Sequence, residues 1–560
     1  MRPPDVAELA GAIQLAGALV MAAYLAAALA AAVRHRDPTP ARRAAADAIV
    51  TGLGLLTAAT VLRTLAVRTW PQIATLAAVL TLRIVIKRLV THERRRSSMT
   101  AAGVLAAMLP AAPAAGQDTT PAARPAFQAL RYEEDWSVLR DPRLRTGRLD
   151  RLKYLPLDGA ARVWASLGGE TRLRYEQFRN PLFGGDPPDA GGYLLHRYLV
   201  HADLHVGRRL RAFVQLQAAL ASGRTGGPRA FDENGLDLHQ AFGELSLGVD
   251  RLIAVRIGRQ ELDVGSSRLV SAREMVNVRQ TFDGLRVLLR PSRSSGSLWV
   301  LRPVLVERGV FDDSADSTRL LWGASWIRRD MLGPGGTLTA YYIGLERRGA
   351  RFDQGAADEL RHTVGVRANG ARGAWDYNLE ANGQFGRFGT GRIRAWDAAA
   401  DHGVRLRRVP LRPRLGLRID VTSGDRDPDD VDLSTFNPLF PNTAYSGLSG
   451  LVGPANSIDL QPSVRAFVSS GLSVAGGLTL FWRTSRRDGL YGIAVNPQRP
   501  GGPSRARSVG RQLALEVEWT PSPNVVYQLT LTHFAVGPYL RDTPPGADVR
   551  YFLSWISYRF

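Results

Sequence analysis

Arginine and carboxylate side chains recur at alternate positions along much of the chain, and apolar side chains occupy the positions between them. Glu170, Arg172 and Arg174 show this spacing, with Leu173 and Tyr175 pointing the opposite way. A guanidinium group keeps its charge, is planar, and pairs with a carboxylate through two parallel hydrogen bonds. A row of such groups can bind anionic solutes, or it can pair with carboxylates of the same chain.

The same alternation selects twelve arginines as candidates for the wall of an anion path, with Arg259 expected at the mouth of a strand. The twelve are Arg172, Arg174, Arg197, Arg211, Arg256, Arg259, Arg286, Arg367, Arg394, Arg414, Arg418 and Arg465. For each one alone, the favoured interpretation is an internal ion pair with an acid such as Glu170, Glu244 or Asp420. Some acids would be needed on such a path in any case, because a wholly basic tunnel would hold a polyanion.

Five aspartates in one loop-like stretch are a weak candidate for calcium binding through oxygen ligands. They are Asp425, Asp427, Asp429, Asp430 and Asp432. Their spacing lacks the glycine and glutamate of an EF-hand, so a solvated acidic loop is favoured and no metal site is predicted. The chain has no cysteine, no Ser-x-x-Lys motif and no nucleophile elbow, so we expect no cofactor and no catalysis.

The overall charge narrows the classes of partner. The formal net charge is +21, and almost all of the basic residues are arginine. This excess would suit a nucleic acid, an anionic lipid surface or an acidic polymer. The sequence has no helix-turn-helix, zinc-finger or aromatic RNA-binding motif, so no nucleic acid partner is predicted.

Period-two alternation of this kind indicates β-strands with one apolar and one charged face. A transmembrane barrel with its apolar face outward typically has strands with one charged face. Its strands are joined by short turns at one end, here rich in Gly, Pro and Asp, and by longer loops at the other. We therefore predict an all-β fold, an antiparallel outer-membrane β-barrel of about eighteen strands over residues 161–560. The predicted strands start near residues 162, 193, 209, 238, 252, 280, 296, 319, 337, 360, 374, 391, 413, 458, 473, 511, 524 and 548. A barrel of this size leaves an aqueous channel.

The C-terminal residues supply an independent signal. Phe552, Ile556, Tyr558 and the terminal Phe560 alternate on one face of the last predicted strand. A last strand that ends in phenylalanine after alternating aromatics is what the barrel assembly machinery recognises. Phe560 is therefore predicted to be an assembly signal, and that machinery and the outer-membrane bilayer are predicted partners.

The N-terminal quarter has a different character. Residues 1–92 form a hydrophobic helical membrane segment with candidate spans at 9–33, 45–67 and 72–90. Residues 93–116 resemble a signal peptide, with Arg94–Arg96, an apolar run, and a cleavage site before Gln117 or after Ala112-Pro113-Ala114. The first segment is then either a genuine fusion in the inner membrane or the result of a start placed too far upstream. Residues 117–160 would be a periplasmic segment ahead of the barrel.

Several short motifs in order resemble the alginate export family of outer-membrane proteins. They are Arg131–Trp136, Gly258–Leu262, Arg268–Ser271, Arg273-Glu274, Asn277–Arg279, Phe282–Gly284, Trp375–Tyr377, Gln384–Gly386 and Phe436–Pro441. The likeness runs from about 127 to 560 and implies an eighteen-stranded porin with an arginine-lined constriction. Residues 61–65 and 82–86 resemble a small uncharacterised family of bacterial inner-membrane proteins, which implies no activity.

These observations predict an outer-membrane channel for anionic solutes, with export of an alginate-like polyuronate as the function that the resemblance implies. Periplasmic export proteins would then be further partners. A generic anion-selective porin without a polymer role remains open. An outer-membrane enzyme, such as a lipid A hydrolase or a polymer lyase, is disfavoured because His239, His362 and His533 have no evident catalytic partners.

Overall fold

The computed structural model describes residues 125–560 except 148, 160, 190, 249–250, 445–446 and 448. The chain divides into two compact units, and one of them comprises Pro125–Asp189 and Leu194–Phe560. The predicted helical segment and signal peptide lie outside the described residues. In the part of the chain that is described, no helix has the length and apolar character needed to cross a membrane.

Eighteen long strands, β1 to β18, form one antiparallel sheet in which each strand pairs with the next. In chain order they are Val163–Arg179, Tyr193–Val206, Leu210–Ser222, Asn234–Leu247, Ile253–Gln260, Phe282–Leu289, Ser294–Leu305, Arg319–Arg329, Thr337–Phe352, Gly355–Arg372, Trp375–Phe388, Gly391–Arg405, Arg414–Thr422, Ser457–Ser469, Leu472–Arg483, Ser508–Ser522, Val525–Val536 and Val549–Arg559. β18 pairs with β1, for example at Trp555 and Arg174, so the sheet closes on itself. The predicted eighteen-stranded barrel is confirmed, and each predicted strand start lies within about five residues of the observed one.

Connections differ in length at the two ends of the strands. At the end where β1 starts and β18 finishes, the strands are joined by short turns such as 207–209, 373–374 and 523–524. At the opposite end lie the long connections 261–281, 423–456 and 484–507. Outer-membrane barrels have short periplasmic turns and long extracellular loops. The long-loop end is therefore the extracellular end.

Side chains on successive residues alternate between a lipid-facing and an interior surface. Outward residues are exposed apolar side chains such as Leu415 and Leu417, each 44% exposed, while Arg414 and Arg418, which flank them in the sequence, point inward. This phase matches a bilayer outside, where apolar groups are stable, and water inside, where charges are solvated. The strand alternation therefore determines which side chains can line a channel.

Two extracellular loops fold into the barrel and pack together. Loop 261–281 contributes Leu269 and Val270, and loop 423–456 contributes Phe436 and Phe440, to one buried apolar cluster. Their backbones are joined by hydrogen bonds from Phe440 N to the Leu269 carbonyl oxygen at 2.7 Å and from Ser271 N to the Phe440 carbonyl oxygen at 3.0 Å. Loop 261–281 therefore occupies part of the interior.

The segment ahead of β1 also enters the barrel. A 3-10 turn at Arg131–Glu133 carries Tyr132, whose ring packs edge-on against Phe213 and Phe242 of the inner wall. Short helices follow at Ser137–Arg140, Pro142–Leu144 and Asp150–Lys153, and Lys153 Nζ donates to the Phe560 carbonyl oxygen at 2.8 Å. The sequence interpretation placed these residues in the periplasm and did not predict their insertion.

Candidate functional site: the arginine-lined interior

Ten of the twelve predicted arginines point into the barrel, because their strands alternate as expected. They are Arg172, Arg174, Arg197, Arg211, Arg256, Arg286, Arg367, Arg414, Arg418 and Arg465. Of the remaining two, Arg259 lies at the extracellular end of its strand, in keeping with the expected position at the mouth, and Arg394 does not line the interior wall.

Arg394 lies on the outer face of β12. It shares that face with Trp396, which is 43% exposed, whereas Ile393, Ala395 and Asp397 point inward. Arg259 shares the face of exposed Ile257 and makes a bidentate pair with Asp283 at 2.8 and 3.0 Å. Both arginines lie at the extracellular ends of their strands, where outward side chains are no longer in the apolar layer.

Most of the inward arginines are paired with carboxylates of the wall. Arg211 forms a fork with Asp203 at 2.8 Å, and Arg256 donates to Glu244 at 2.7 and 3.0 Å. Other such pairs join Arg414 to Asp376 and Asp401, Arg418 to Asp420, and Arg465 to Glu516. The internal ion pairs that the sequence analysis favoured are therefore common on this wall.

One group of pairs attaches loop 261–281 to β1 and β2. Arg197 donates to Glu274 Oε1 at 2.7 Å and to Glu170 Oε1 of the wall, and all three side chains lie in the interior. Arg172 donates to the carbonyl oxygens of Glu274 and Val276, both at 2.9 Å. Burial raises the pKa of Glu274, but Arg197 and Arg279 outweigh this effect and lower it to about 2. Glu274 is therefore ionised at neutral pH and holds the loop to this wall.

The same loop reaches a distant part of the wall. Arg268, fully buried, pairs with Asp397 at 2.7 Å and with Asp420 at 2.9 Å. Arg367 of β10 donates to the Gly265 carbonyl oxygen at 2.8 Å. Because β1 and β2 hold one part of the loop and β10, β12 and β13 hold another, loop 261–281 crosses the interior and narrows it.

A second basic group lies beside this loop, and the sequence analysis missed it as a site. Arg273 of the loop, Arg319 of β8 and Arg347 of β9 line one cavity of about 100 Å³ together with Gln280 and Asn437. Arg319 and Arg347 are directly opposite on neighbouring strands. Burial, together with the nearby Arg319, lowers the pKa of Arg273 to about 10. Arg319 also pairs with Asp316 at 3.3 Å, and the charges of the other two arginines leave an excess of positive charge that favours an anion in this cavity.

Several of these guanidinium groups have no carboxylate partner. Among the described residues, no carboxylate oxygen lies within 4.0 Å of Arg286, Arg347 or Arg367. Arg286 Nε is also buried without a hydrogen-bond partner, and Arg367 donates only to neutral oxygens of Asn378 and Gly265. The alternation rule could have found Arg347, because Tyr341, Ile343 and Leu345 on the same face of β9 are buried.

The aspartates weakly proposed for calcium do not converge. Asp427 pairs with Arg487 at 2.7 Å, Asp432 pairs with Arg392 at 3.0 Å, and Asp430 accepts the Asp432 N–H. Among the described residues, three carboxylates lie close enough to share an ion at another place, and they belong to Asp237, Asp312 and Asp313. Asp237 already accepts the backbone N–H groups of the other two.

Comparison with known proteins gives two family matches. Residues 163–553 match the family model described as alginate export. Residues 17–93 match the model described as a protein of unknown function, DUF1622.

No curated protein matches the chain. Similar solved structures include Pseudomonas aeruginosa OpdK with vanillate, at 12% identity and a TM-score of 0.48, covering 71% of this chain and 98% of that chain. Pseudomonas aeruginosa OccD3 (OpdP) is 13% identical with a TM-score of 0.48, covering 73% and 93%.

Proposed function

Because this chain belongs to the alginate export family and forms an outer-membrane β-barrel channel, we propose that it passes anionic solutes through its arginine-lined interior, including acidic polysaccharides of the polyuronate type. The observation that carries the proposal is the group of Arg273, Arg319 and Arg347 around one cavity beside the crossing loop. A cation-selective path would not concentrate guanidinium groups on its wall.

The chemistry of a polyuronate suits these groups. Each uronate sugar carries one carboxylate, and an arginine fork binds a carboxylate through two hydrogen bonds. Arg286, Arg347 and Arg367 have no carboxylate partner among the described residues. A passing anion can therefore pair with these arginines without displacing a carboxylate of the chain. The acids on β13 and β16 reduce the net attraction and let the solute leave.

A generic anion-selective porin is the second candidate. It is favoured by loop 261–281, which crosses the interior and is held there by buried ion pairs at Arg197 and Arg268. A fixed loop in the path would admit small anions more readily than a polymer. The barrel assembly machinery and periplasmic export proteins remain proposed partners under both candidates.

Reversal potentials in planar bilayers under a KCl gradient test the proposal. We expect anion selectivity, strongest at low salt because screening acts within about 10 Å at 0.1 M. Changing Arg367, Arg418 and Arg465 together to glutamate should abolish or reverse the selectivity, and R319Q/R347Q should weaken it. Changing the outward Leu415 and Leu417 to alanine is the control and should have no effect.

Uronate oligomers separate the two candidates. Under the proposal they block the ionic current from the side of entry, and R319Q/R347Q relieves the block. A cation-selective wild type would contradict both candidates. Anion selectivity without uronate block would leave the generic porin.

A further inference from the structure

Four basic residues form a cluster on the outer face of the barrel, away from the interior path. Arg179 of β1 lies opposite Arg550 of β18, and Arg550 lies opposite His533 of β17. Arg511 of β16 lies one strand further along, near the same end. Directly paired residues have Cβ atoms about 4.5–5.5 Å apart, so Arg179, Arg550 and His533 form a continuous patch.

The patch stands above an apolar groove. Leu513, Leu515 and Leu531 are 57%, 43% and 42% exposed on the same outer face, and Phe552 completes the row. These residues line a groove of about 580 Å³, and Arg179, Arg550 and His533 line the same groove. The groove is therefore apolar over much of its length and basic towards the long-loop end.

The basic groups are not neutralised by acids of this chain. Among the described residues, no carboxylate oxygen lies within 4.0 Å of Arg179, Arg511 or Arg550. The Nδ1 atom of His533 is shielded from solvent and has no hydrogen-bond partner. Arg179, Arg511 and Arg550 are exposed and close together, so their unneutralised positive charge favours an anionic ligand on this patch.

Position identifies the kind of anion. The cluster lies at the extracellular ends of its strands, where we expect the headgroups of the outer leaflet, and the apolar groove below it suits acyl chains. We propose that this surface binds a phosphorylated outer-leaflet lipid of the lipid A class, with an acyl chain along Leu513, Leu515 and Leu531 and a phosphate between Arg179 and Arg550. Arginine forks suit phosphate oxygens as they suit carboxylates.

Native mass spectrometry of the purified mature protein in nanodiscs of zwitterionic lipid tests this site. The probe is bis-phosphorylated lipid A, compared with its dephosphorylated form. We expect retention of the phosphorylated lipid, and R179Q/R550Q should lower its apparent affinity about tenfold or more, which corresponds to about 1.4 kcal/mol. R179K/R550K keeps the charges and should retain most of the binding.

Arg372 provides the matched control. It lies on the outer face at the opposite, periplasmic end, beside Trp375, which is 61% exposed. R372Q should therefore leave binding unchanged. Equal retention of the dephosphorylated lipid, or undiminished binding by R179Q/R550Q, would overturn the proposal. Anion selectivity in bilayers should be unchanged in R179Q/R550Q, so this site and the transport function can fail independently.

Discussion

The attachment of loop 261–281 can be weakened at one side chain of β2, Arg197, without a change in the loop itself. Arg197 donates to Glu274 Oε1 at 2.7 Å, to the Glu274 carbonyl oxygen at 3.0 Å and to the Val276 carbonyl oxygen at 3.1 Å. It also binds Glu170 of the wall. Arg197→Met removes these bonds and keeps much of the side-chain volume.

The free-energy cost of Arg197→Met depends on the ion pairs that Glu170 and Glu274 keep. Removing one partner of a buried ion pair costs about 3–5 kcal/mol, chiefly because the other charge is left unpaired. Glu170 retains Arg131 and Arg559, and Glu274 retains Arg279, so the lower value of about 3 kcal/mol applies. Since 1.4 kcal/mol is a factor of ten, the population of detached loop should rise about a hundredfold.

Limited proteolysis with trypsin measures this population, because the loop contains Arg273 and Arg279. When opening is fast relative to cleavage, the cleavage rate follows the population of the open form. Cleavage in the loop should therefore be about a hundredfold faster in R197M, and single-channel records should show more frequent steps to higher conductance. R372M, on the outer face, is the control.

Unchanged cleavage of loop 261–281 in R197M would contradict the role of Arg197 in its attachment. If R197M runs as a folded, heat-modifiable barrel and its loop is cleaved within about twofold of the wild-type rate, then the buried pairs at Arg197 do not hold the loop. A variant that fails to assemble is distinguished by the loss of heat-modifiable migration, and E274Q then provides the second test of the same attachment.

Three further predictions concern pH, packing and assembly. The Glu274 pKa is lowered from 4.5 to about 2, so its contribution to loop attachment should be complete above pH 4.5 and lost as the pH falls through 2, measured by the conductance noise. Gly344→Val should lower the heat-modification midpoint, with a cost of about 1–3 kcal/mol, because a Cβ there would overlap Trp322, whereas Gly383→Val, with open space, should not. Phe560→Asp should reduce assembled barrel in outer-membrane fractions while secretion continues; an unchanged amount would make the terminal aromatic incidental.

The barrel could be predicted from the sequence because lipid and water impose opposite demands on the two faces of every strand. Within the apolar layer, outward positions such as Leu415 and Leu417 must be apolar. The sequence therefore shows which side chains of each strand face the lipid and which face the interior. Beyond that layer, outward side chains need not be apolar. Arg392 and Arg394 are outward residues of β12 and both are charged, so the alternation there no longer indicates which face is inside.

The arrangement of the loops could not be predicted in this way. Arg268 meets Asp397 and Asp420 across more than a hundred residues of sequence, and no local periodicity encodes such a contact. Tyr132 likewise enters the barrel from a segment without strand alternation. The sequence indicated that interior acids would pair with the arginines. Which acid pairs with which arginine depends on the strand register and on the position of the loops.

The ion pairs of the interior fall into two physical classes. Arg268 and Asp397 are both fully buried, so separating them would leave two charges unpaired in a medium of low dielectric. Arg465 and Glu516 are 34% and 27% exposed at 3.2 Å, and exposed pairs of this kind contribute only about 0–1 kcal/mol. A passing carboxylate can replace Glu516 on Arg465 at small net cost, whereas it cannot compete for Arg268. Under the proposed function, the buried pairs would fix the loop while the partly exposed pairs exchange partners with a moving polyanion, which would give selectivity without tight retention.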